Sequence, residues 1–423
     1  MVTLRTWAGN VTYSARELLE PQSLDDLCRA VAGSTRLRAL GTRHSFSAVA
    51  DTTGDLVSVA RLPSRLEIDA EARTATVSAG LRYGEVVAEL DAAGLALANL
   101  GSLPHISVGG ATATGTHGSG ETNQVLASSV TAIELVTASG DVVRVRRDDE
   151  RFAGAVIALG RLGVVTALTL DLVPSFEVRQ EVHLGLPAAA ALEHLDALLA
   201  GAYSVSLFTQ WTQPWEFQVL SKHRTATAEG ADRAAAAALA VELGARPAPG
   251  PWHPVPGMPT ENSTEQLGVP GRWHARLPHF KLEFTPSSGN ELQTEYFVER
   301  SDGAAALAAV AGLRDVVSPV LQVSEIRTIA RDELWLSPAN GRETLAIHFT
   351  WFEDTRAALP AVRAVEEALA PFAARPHWGK VFTTPGPTVR SLYPRLADAN
   401  ALAREFDPDG KFRNAFVEEY LEG

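Results

Sequence analysis

The stretch from Gly101 to Gly120, GSLPHISVGGATATGTHGSG, limits what this chain can fold into more than any other. It holds no Lys, Arg, Asp or Glu and is built almost wholly of Gly, Ala, Ser and Thr, with His105 and His117 as its large polar groups. A run with so little apolar area makes a poor core strand. Helix is disfavoured too, because Gly109, Gly110, Gly115 and Gly118 would each cost about 1 kcal/mol against Ala there. Glycine instead lets backbone approach a ligand and turn successive N–H groups toward it, and Ser and Thr add hydroxyl donors. The stretch therefore suits a large anionic group such as a pyrophosphate, held by backbone dipoles and not by charged side chains. It is not a P-loop, because Gly118 is followed by Ser119 and Gly120, and it lacks the GxGxxG spacing of a dinucleotide fingerprint. A flexible linker is the plain alternative, against which stand the apolar anchors Leu103, Ile106 and Val108.

The 423 residues leave room for two or more cores. A net charge of −13 disfavours nucleic acid or an anionic membrane as partner. Cys28 is the only cysteine, so an internal disulfide and a Cys-based metal site are excluded; within the amphipathic SLDDLCRAVAG it reads as a buried small hydrophobe. The N-terminus shows no basic-then-apolar signal pattern, and no run reaches the roughly 18 apolar residues of a membrane span. A cytoplasmic, monomeric protein without metal is expected. Lysine is confined to Lys222, Lys281, Lys380 and Lys411 in a chain that otherwise uses Arg, so each retained lysine invites a role that Arg cannot fill.

Taken in order, Ser23 is a good N-cap for a helix from Leu24, with Asp25 and Asp26 in its first turn. Strands are expected at 37–41 and 55–62, a strand pair at 65–80, a helix at 82–97, and after the Gly-rich stretch a hairpin at 130–147 turning at Ser139-Gly140. Residues 151–174 read as a helix, a glycine break at Gly160 and Gly163, and an alternating strand. This is an α+β domain of about 175 residues without βαβ regularity. Beyond it the pattern gives a helix near 188–200, strands SVSLFTQW and FQVLSK, an Ala-rich helix at 230–245, a Pro-rich loop at 247–259, strand-like HFKLEFT and QTEYFVE, and a helix at 303–314. That order implies a second, antiparallel sheet with helices on one face.

Two further strands carry the chemistry. VSEIRTIA (323–330) sets Glu325 and Arg327 on one face, and LAIHFTWF (345–352) sets His348 and Thr350 on one face. As neighbours these strands would form one polar patch; a cross-strand ion pair on a solvated sheet, worth about 0.2–1 kcal/mol, explains the same spacing. Lys380 follows in RPHWGK, beside His377 and Trp378. His44, in GTRHSFS, comes just after Gly41, where backbone can approach a ligand.

TRHSFS, SLPHISVGGATATGTHGSG, EIRT, HFTW, RPHWGK and the terminal DPDGKFRNAF, in that order from about Trp7 to Phe416, resemble the alditol oxidases within the flavoprotein superfamily of vanillyl-alcohol oxidase and p-cresol methylhydroxylase. The resemblance implies an α+β, two-domain FAD-binding (PCMH-type) fold with an antiparallel-sheet cap: residues 1–175 bind FAD, 176–376 form the cap or substrate domain, and 377–423 return to the FAD domain. It implies covalent attachment of FAD through His44, although Arg43 stands where the family usually has glycine. It assigns to the flavin site Gly41, Thr42, Arg43 and Ser45; Gly101, Ser102, Ser107, Gly109, Gly110, Ala111, Thr112, Ala113, Gly115 and His117; Gly163, Val164 and Val165; and His377. It assigns Ser102, Glu325, Arg327, Thr350 and Lys380 to the polyol, with Arg327, Lys380 and His348 catalytic. Arg327 and Lys380 would favour an alkoxide-like transition state, and either Lys380 or His348 would be the base. Gly101 is placed beside the part of the flavin that meets oxygen. The implied reaction turns an alditol's terminal alcohol into the aldose while O2 becomes hydrogen peroxide. An aldonolactone oxidase or dehydrogenase, or a non-catalytic flavin or sugar carrier, are the alternatives.

Overall fold

A computed structural model describes residues 4–225, 235–285 and 287–423. The N-terminal third opens with a short strand, Leu18–Leu19, and a helix, Leu24–Gly33, capped by Ser23, whose Oγ accepts from the Asp26 N–H at 3.1 Å. Leu37–Ala39 and Asp55–Val57 complete a small parallel sheet with Asp55–Val57 in the middle. This single strand–helix–strand unit is not repeated in the antiparallel sheet that follows, so the domain lacks βαβ regularity. Cys28 is half-buried on that helix, packed against the cluster of Leu27, Val31 and Phe412. A five-stranded antiparallel sheet follows, in the order Leu66–Asp69, Thr74–Ser78, Val164–Asp171, Val130–Val136, Val142–Arg146. The 130–147 hairpin turns at Gly140, with φ +89°, as its Ser-Gly predicts.

The cap is one antiparallel sheet with the strand order 246–247, 177–187, 216–224, 204–209, 321–329, 344–352, 291–299, 375–376. Alternation along these strands gives it two unlike faces. On one face Ile326, Ile347, Phe349, Trp351 and Tyr296 are fully buried under the helices Ala188–Glu193, Leu195–Ala200, Gly303–Ala311 and Thr355–Leu369. Each such side chain contributes roughly 1.5–3 kcal/mol by leaving water, so the register of this sheet is strongly fixed. The opposite face, turned toward the N-terminal sheets, carries the polar residues described below. The chain's last stretch returns to the first domain. Val389, Leu402, Phe416 and Leu421 share a core with Val86, Leu135 and Leu168, and Lys411 Nζ donates to the carbonyls of Val31 and Ala138 at 2.6 Å each.

Several expectations need correction. The Gly-rich stretch does contain a helix, Val108–Ala113, because packing overrides propensity: a Cβ on Gly109 would come 2.9 Å from Ala79 Cβ, so only glycine lets the turn sit that close. HFKLEFT is not a strand. Its sheet-like contact is a single bridge, Ser263 to Phe280, and the N–H groups of His279 and Phe280 both donate to the Ser102 carbonyl. The helix near 188–200 breaks at His194, and the one after Arg151 is a single turn, Phe152–Ala155. Of the Ala-rich helix, Ala235–Glu242 is present, and 230–234 lie outside the described residues. Among the described residues no single helix is long and apolar enough to cross a membrane.

Candidate active site

A cavity of about 700 Å3 runs from the loops of the N-terminal part to the polar face of the large antiparallel sheet. Residues 41–45 line it, as do Gly101, Ser102, Ser107, Gly109, Gly110, Ala111, Ala113, His117, and the strand start at Gly163, Val164 and Val165. Glu325, Arg327, His348, Thr350, His377 and Lys380 close the other end. Two expected cofactor residues do not reach it. Thr112 is buried on the side of its helix that faces Tyr83, and Gly115, at φ +70°, makes the turn beneath Pro338.

The cap's contribution follows from strand register. Leu321–Ile329 pairs with Thr344–Phe352, which pairs with Glu291–Glu299, so Glu325, His348 and Glu295 stand in one row across the sheet. Val323, Thr350 and Gln293 form the next row. Sequence reasoning missed Glu295, Gln293 and Glu291. Their signal was the same two-residue alternation, in ELQTEYFVE, as in the two neighbouring strands. Glu295 is the hub: Arg327 Nη2 donates to Oε1 at 2.6 Å, and Lys380 Nζ lies 3.0 Å from Oε2. His117 Nε2 lies 3.2 Å from Oε1. Burial alone would raise the Glu295 carboxyl; Lys380, His117 and Arg327 outweigh it and hold it well below the ordinary carboxylate range. Burial likewise raises Glu325, and Arg327 and His279 more than reverse this. Arg327, Lys380, Glu295 and Glu325 therefore balance, two charges of each sign.

The neighbours settle the state of His348. Glu291 is a buried carboxylate that takes N–H donors, one of them from the Gln293 amide. The amide oxygen of Gln293 is thereby left to His348, which donates Nε2–H to it at 3.1 Å. His348 thus keeps its Nδ1 lone pair, and burial, then Lys380, push its pKa well below the ordinary imidazole value.

At the other end, burial above all lowers His44 to about 4, and its ring stacks on Trp7 with 5.5 Å between centroids. Arg43 adopts φ +64°, the left-handed conformation that glycine takes most readily, and its guanidinium turns away to the Arg5 carbonyl at 3.3 Å.

Two family profiles match the chain: an FAD binding domain over residues 16–146 and D-arabinono-1,4-lactone oxidase over residues 290–420. An alditol oxidase from Streptomyces sp. (strain IKD472 / FERM P-14339) is 52% identical over 420 residues, covering 99% of this chain and 98% of that protein. The chain belongs to the alditol oxidase family. L-gulono-1,4-lactone dehydrogenase of Mycobacterium tuberculosis is a more distant relative, at 29% identity over 98% of both chains. Among solved structures, cholesterol oxidase from B. sterolicum superposes with a TM-score of 0.77 at 13% identity, over 99% of this chain and 96% of that one. Chitooligosaccharide oxidase gives 0.74 at 12%, over 97% and 93%. At such identities the likeness shows the fold, that of the vanillyl-alcohol oxidase and p-cresol methylhydroxylase flavoproteins.

The enzyme is an FAD-dependent oxidase, and its cavity fits that cofactor. A Cβ on Gly41 would lie 2.7 Å from Ser107 Oγ and one on Gly110 2.8 Å from it, so these glycines keep a cradle open around a buried hydroxyl that has no protein partner. Gly163, at φ +149°, brings its backbone against the Val136 carbonyl where a side chain would clash. His44 Nδ1 is also buried without a hydrogen-bond partner. Glycine-rich backbone and the Ser107 hydroxyl from separate loops thus border the cavity, with Arg38, Arg43 and Arg82 also in its lining.

Proposed function

We propose that this enzyme oxidises the terminal primary alcohol of an alditol of the xylitol or sorbitol type to the aldose, with O2 reduced to hydrogen peroxide. The observation that carries the reading is the cap row of Glu325, His348 and Glu295, flanked by Arg327, Thr350 and Lys380, all facing the cavity that the flavin loops enter. A substrate made of hydroxyls needs acceptors and donors in alternation, and this wall supplies both.

FAD held by the glycine-lined loops would supply the hydride acceptor for the alcohol carbon. The chain's own residues handle the proton and the charge. His348 is the base in this reading: it is neutral, its Nε2–H is committed to Gln293, and Nδ1 has a free lone pair for the hydroxyl proton. Lys380 is less suited, because its partner Glu295 is a buried carboxylate held ionised, and that pairing opposes the lowering that burial imposes on the amine. Lys380 and Arg327 instead stabilise negative charge growing on the substrate oxygen. Glu325, Thr350 and Ser102, the last 3.4 Å from Arg327 Nη1, take the remaining hydroxyls.

Substrate class is tested by oxygen uptake and peroxide formation with xylitol, sorbitol and an aldono-1,4-lactone. Turnover of the lactone but not the polyols would reverse the assignment in favour of the lactone branch.

In this proposal His44 would hold FAD covalently through its imidazole, which burial keeps neutral. Acid-precipitated wild type should stay yellow, and acid-precipitated His44→Ala should release its flavin while the native variant still binds it through the glycine cradle. Free flavin from acid-treated wild type would rule the bond out.

Gly101 supports the role of oxygen as acceptor. Its φ lies outside the left-handed region, and an added Cβ would meet the His117 carbonyl, Thr116 and Ile106 at ordinary distances of 3.7–3.8 Å. Neither a tight turn nor packing demands glycine here, which leaves the open space in the cavity as its use. Gly101→Leu should slow reoxidation of the reduced enzyme by oxygen sharply while polyol-driven reduction changes less. Equal oxygen rates in the two proteins would remove Gly101 from the oxygen path.

A further inference from the structure

Lys222 is the most deeply buried of the four lysines, 1% exposed, and it does not line the cavity. It rises from the strand Glu216–Arg224, two strands away from the one that bears Glu325. Nothing in the chemistry above uses it. Its Nζ donates to the Leu277 carbonyl and lies 3.2 Å from His279 Nδ1. His279 in turn bonds Glu325 Oε1 through Nε2 at 2.8 Å. The three groups form one buried line: lysine, imidazole, carboxylate.

The direction of each bond follows from its partners. Glu325 is ionised and can only accept, so His279 Nε2 must carry the proton. Nδ1 is then a bare acceptor, and Lys222 fills it. Burial, with Lys222 as the next cause, lowers the His279 pKa to about 4, so the ring stays neutral in this tautomer. The ring cannot drift, because it packs edge-on to Phe208 at 5.7 Å, and Phe208 is the residue paired with Glu325 across the sheet. Its backbone is pinned separately: the His279 N–H donates to the Ser102 carbonyl and the Thr264 N–H donates to the His279 carbonyl. Arg327 does not do this job, since its Nη2 is spent on Glu295 and its Nε stands 3.7 Å from Glu325 Oε2.

We propose that Lys222 and His279 are the positioning pair for Glu325, committing Oε1 so that Oε2 is the oxygen that receives a substrate hydroxyl. This rests on the polyol reading above. A carboxylate with one oxygen engaged and the other presented is selective for O–H donors and rejects a carbonyl at the same place. Lysine suits the outer position because a single flexible amine serves both the Leu277 carbonyl and His279 Nδ1.

The test uses flavin-loaded enzyme, with FAD content as the check on folding, and measures KM for xylitol beside the limiting rate of anaerobic flavin reduction. His279→Ala should raise KM roughly tenfold or more, the scale of a hydrogen bond to a charged group, and leave the limiting rate within a few-fold. Lys222→Met should act in the same direction and less. His279→Gln, which restores an N–H donor toward Oε1, should recover most of the loss. In a Glu325→Gln background both His279→Ala and Lys222→Met should lose their effect, because the oxygen they orient is no longer that of a carboxylate. Effects of equal size in both backgrounds, or a KM untouched by His279→Ala, would overturn the pair while leaving polyol oxidation intact. Failure of xylitol to reduce wild type would instead remove the polyol reading, and this proposal with it.

Discussion

Lys380→Met and Arg327→Ala should each slow polyol-driven flavin reduction by roughly 10²–10³-fold, the scale for removing one preorganised charge aimed at a developing oxyanion. Both cations sit on Glu295, at 3.0 Å and 2.6 Å, so their positions are set before substrate arrives and little reorganisation is left for the reaction. His348→Ala should cost roughly 10²–10⁴-fold, the range for a general base. These losses separate in their pH dependence. With His348 held well below its ordinary value by burial, wild type should keep its limiting rate as pH falls from 8 to about 6, because the imidazole remains unprotonated above its folded pKa. A Lys380→Met enzyme that reduces its flavin at the wild-type rate would take the charge role away from Lys380. A wild-type rate that rises steeply with alkaline pH would favour Lys380 as the base over His348.

Glu295→Ala should be the most destabilising single change at the site. Removing one partner of a buried ion pair costs about 3–5 kcal/mol, because the other charge stays behind uncompensated. Here two cations, Arg327 and Lys380, lose the same carboxylate, itself 1% exposed. Urea denaturation of Glu295→Ala against wild type reads this directly. Glu295→Gln keeps acceptor oxygen and volume and should lose less. Glu295→Ala as stable as wild type would mean that water or the neighbouring Glu325 balances the cations, and Glu295 would no longer be the hub.

Much of this site was legible from the chain because strand alternation is a strict geometric rule. Glu325, Arg327, His348 and Thr350 were assigned to shared faces by counting in twos, and the register joined them. The same count over ELQTEYFVE yields Glu295 and Gln293, yet without a chemical motif around them nothing marked that strand as part of the site. His279 was out of reach for a different reason. HFKLEFT alternates like a strand, but two of its backbone donors go to the Ser102 carbonyl in the other domain, a long-range contact that no local pattern encodes. The helix at Val108–Ala113 was hidden by its own glycines, whose cost is offset by close packing on Ala79. Arg43 shows the converse. Its left-handed φ is one that glycine adopts most readily, and its guanidinium bonds the Arg5 carbonyl while the residue still lines the cavity.

The central claim, that this cavity oxidises a polyol at FAD, is tested most directly by mixing wild-type enzyme with xylitol in the absence of oxygen and following the flavin's visible absorption. Rapid bleaching that saturates with xylitol, followed by return of the yellow colour when oxygen is admitted, is the predicted result. A flavin that stays oxidised with every alditol while an aldono-1,4-lactone bleaches it, or that no sugar derivative bleaches at all, would contradict the account.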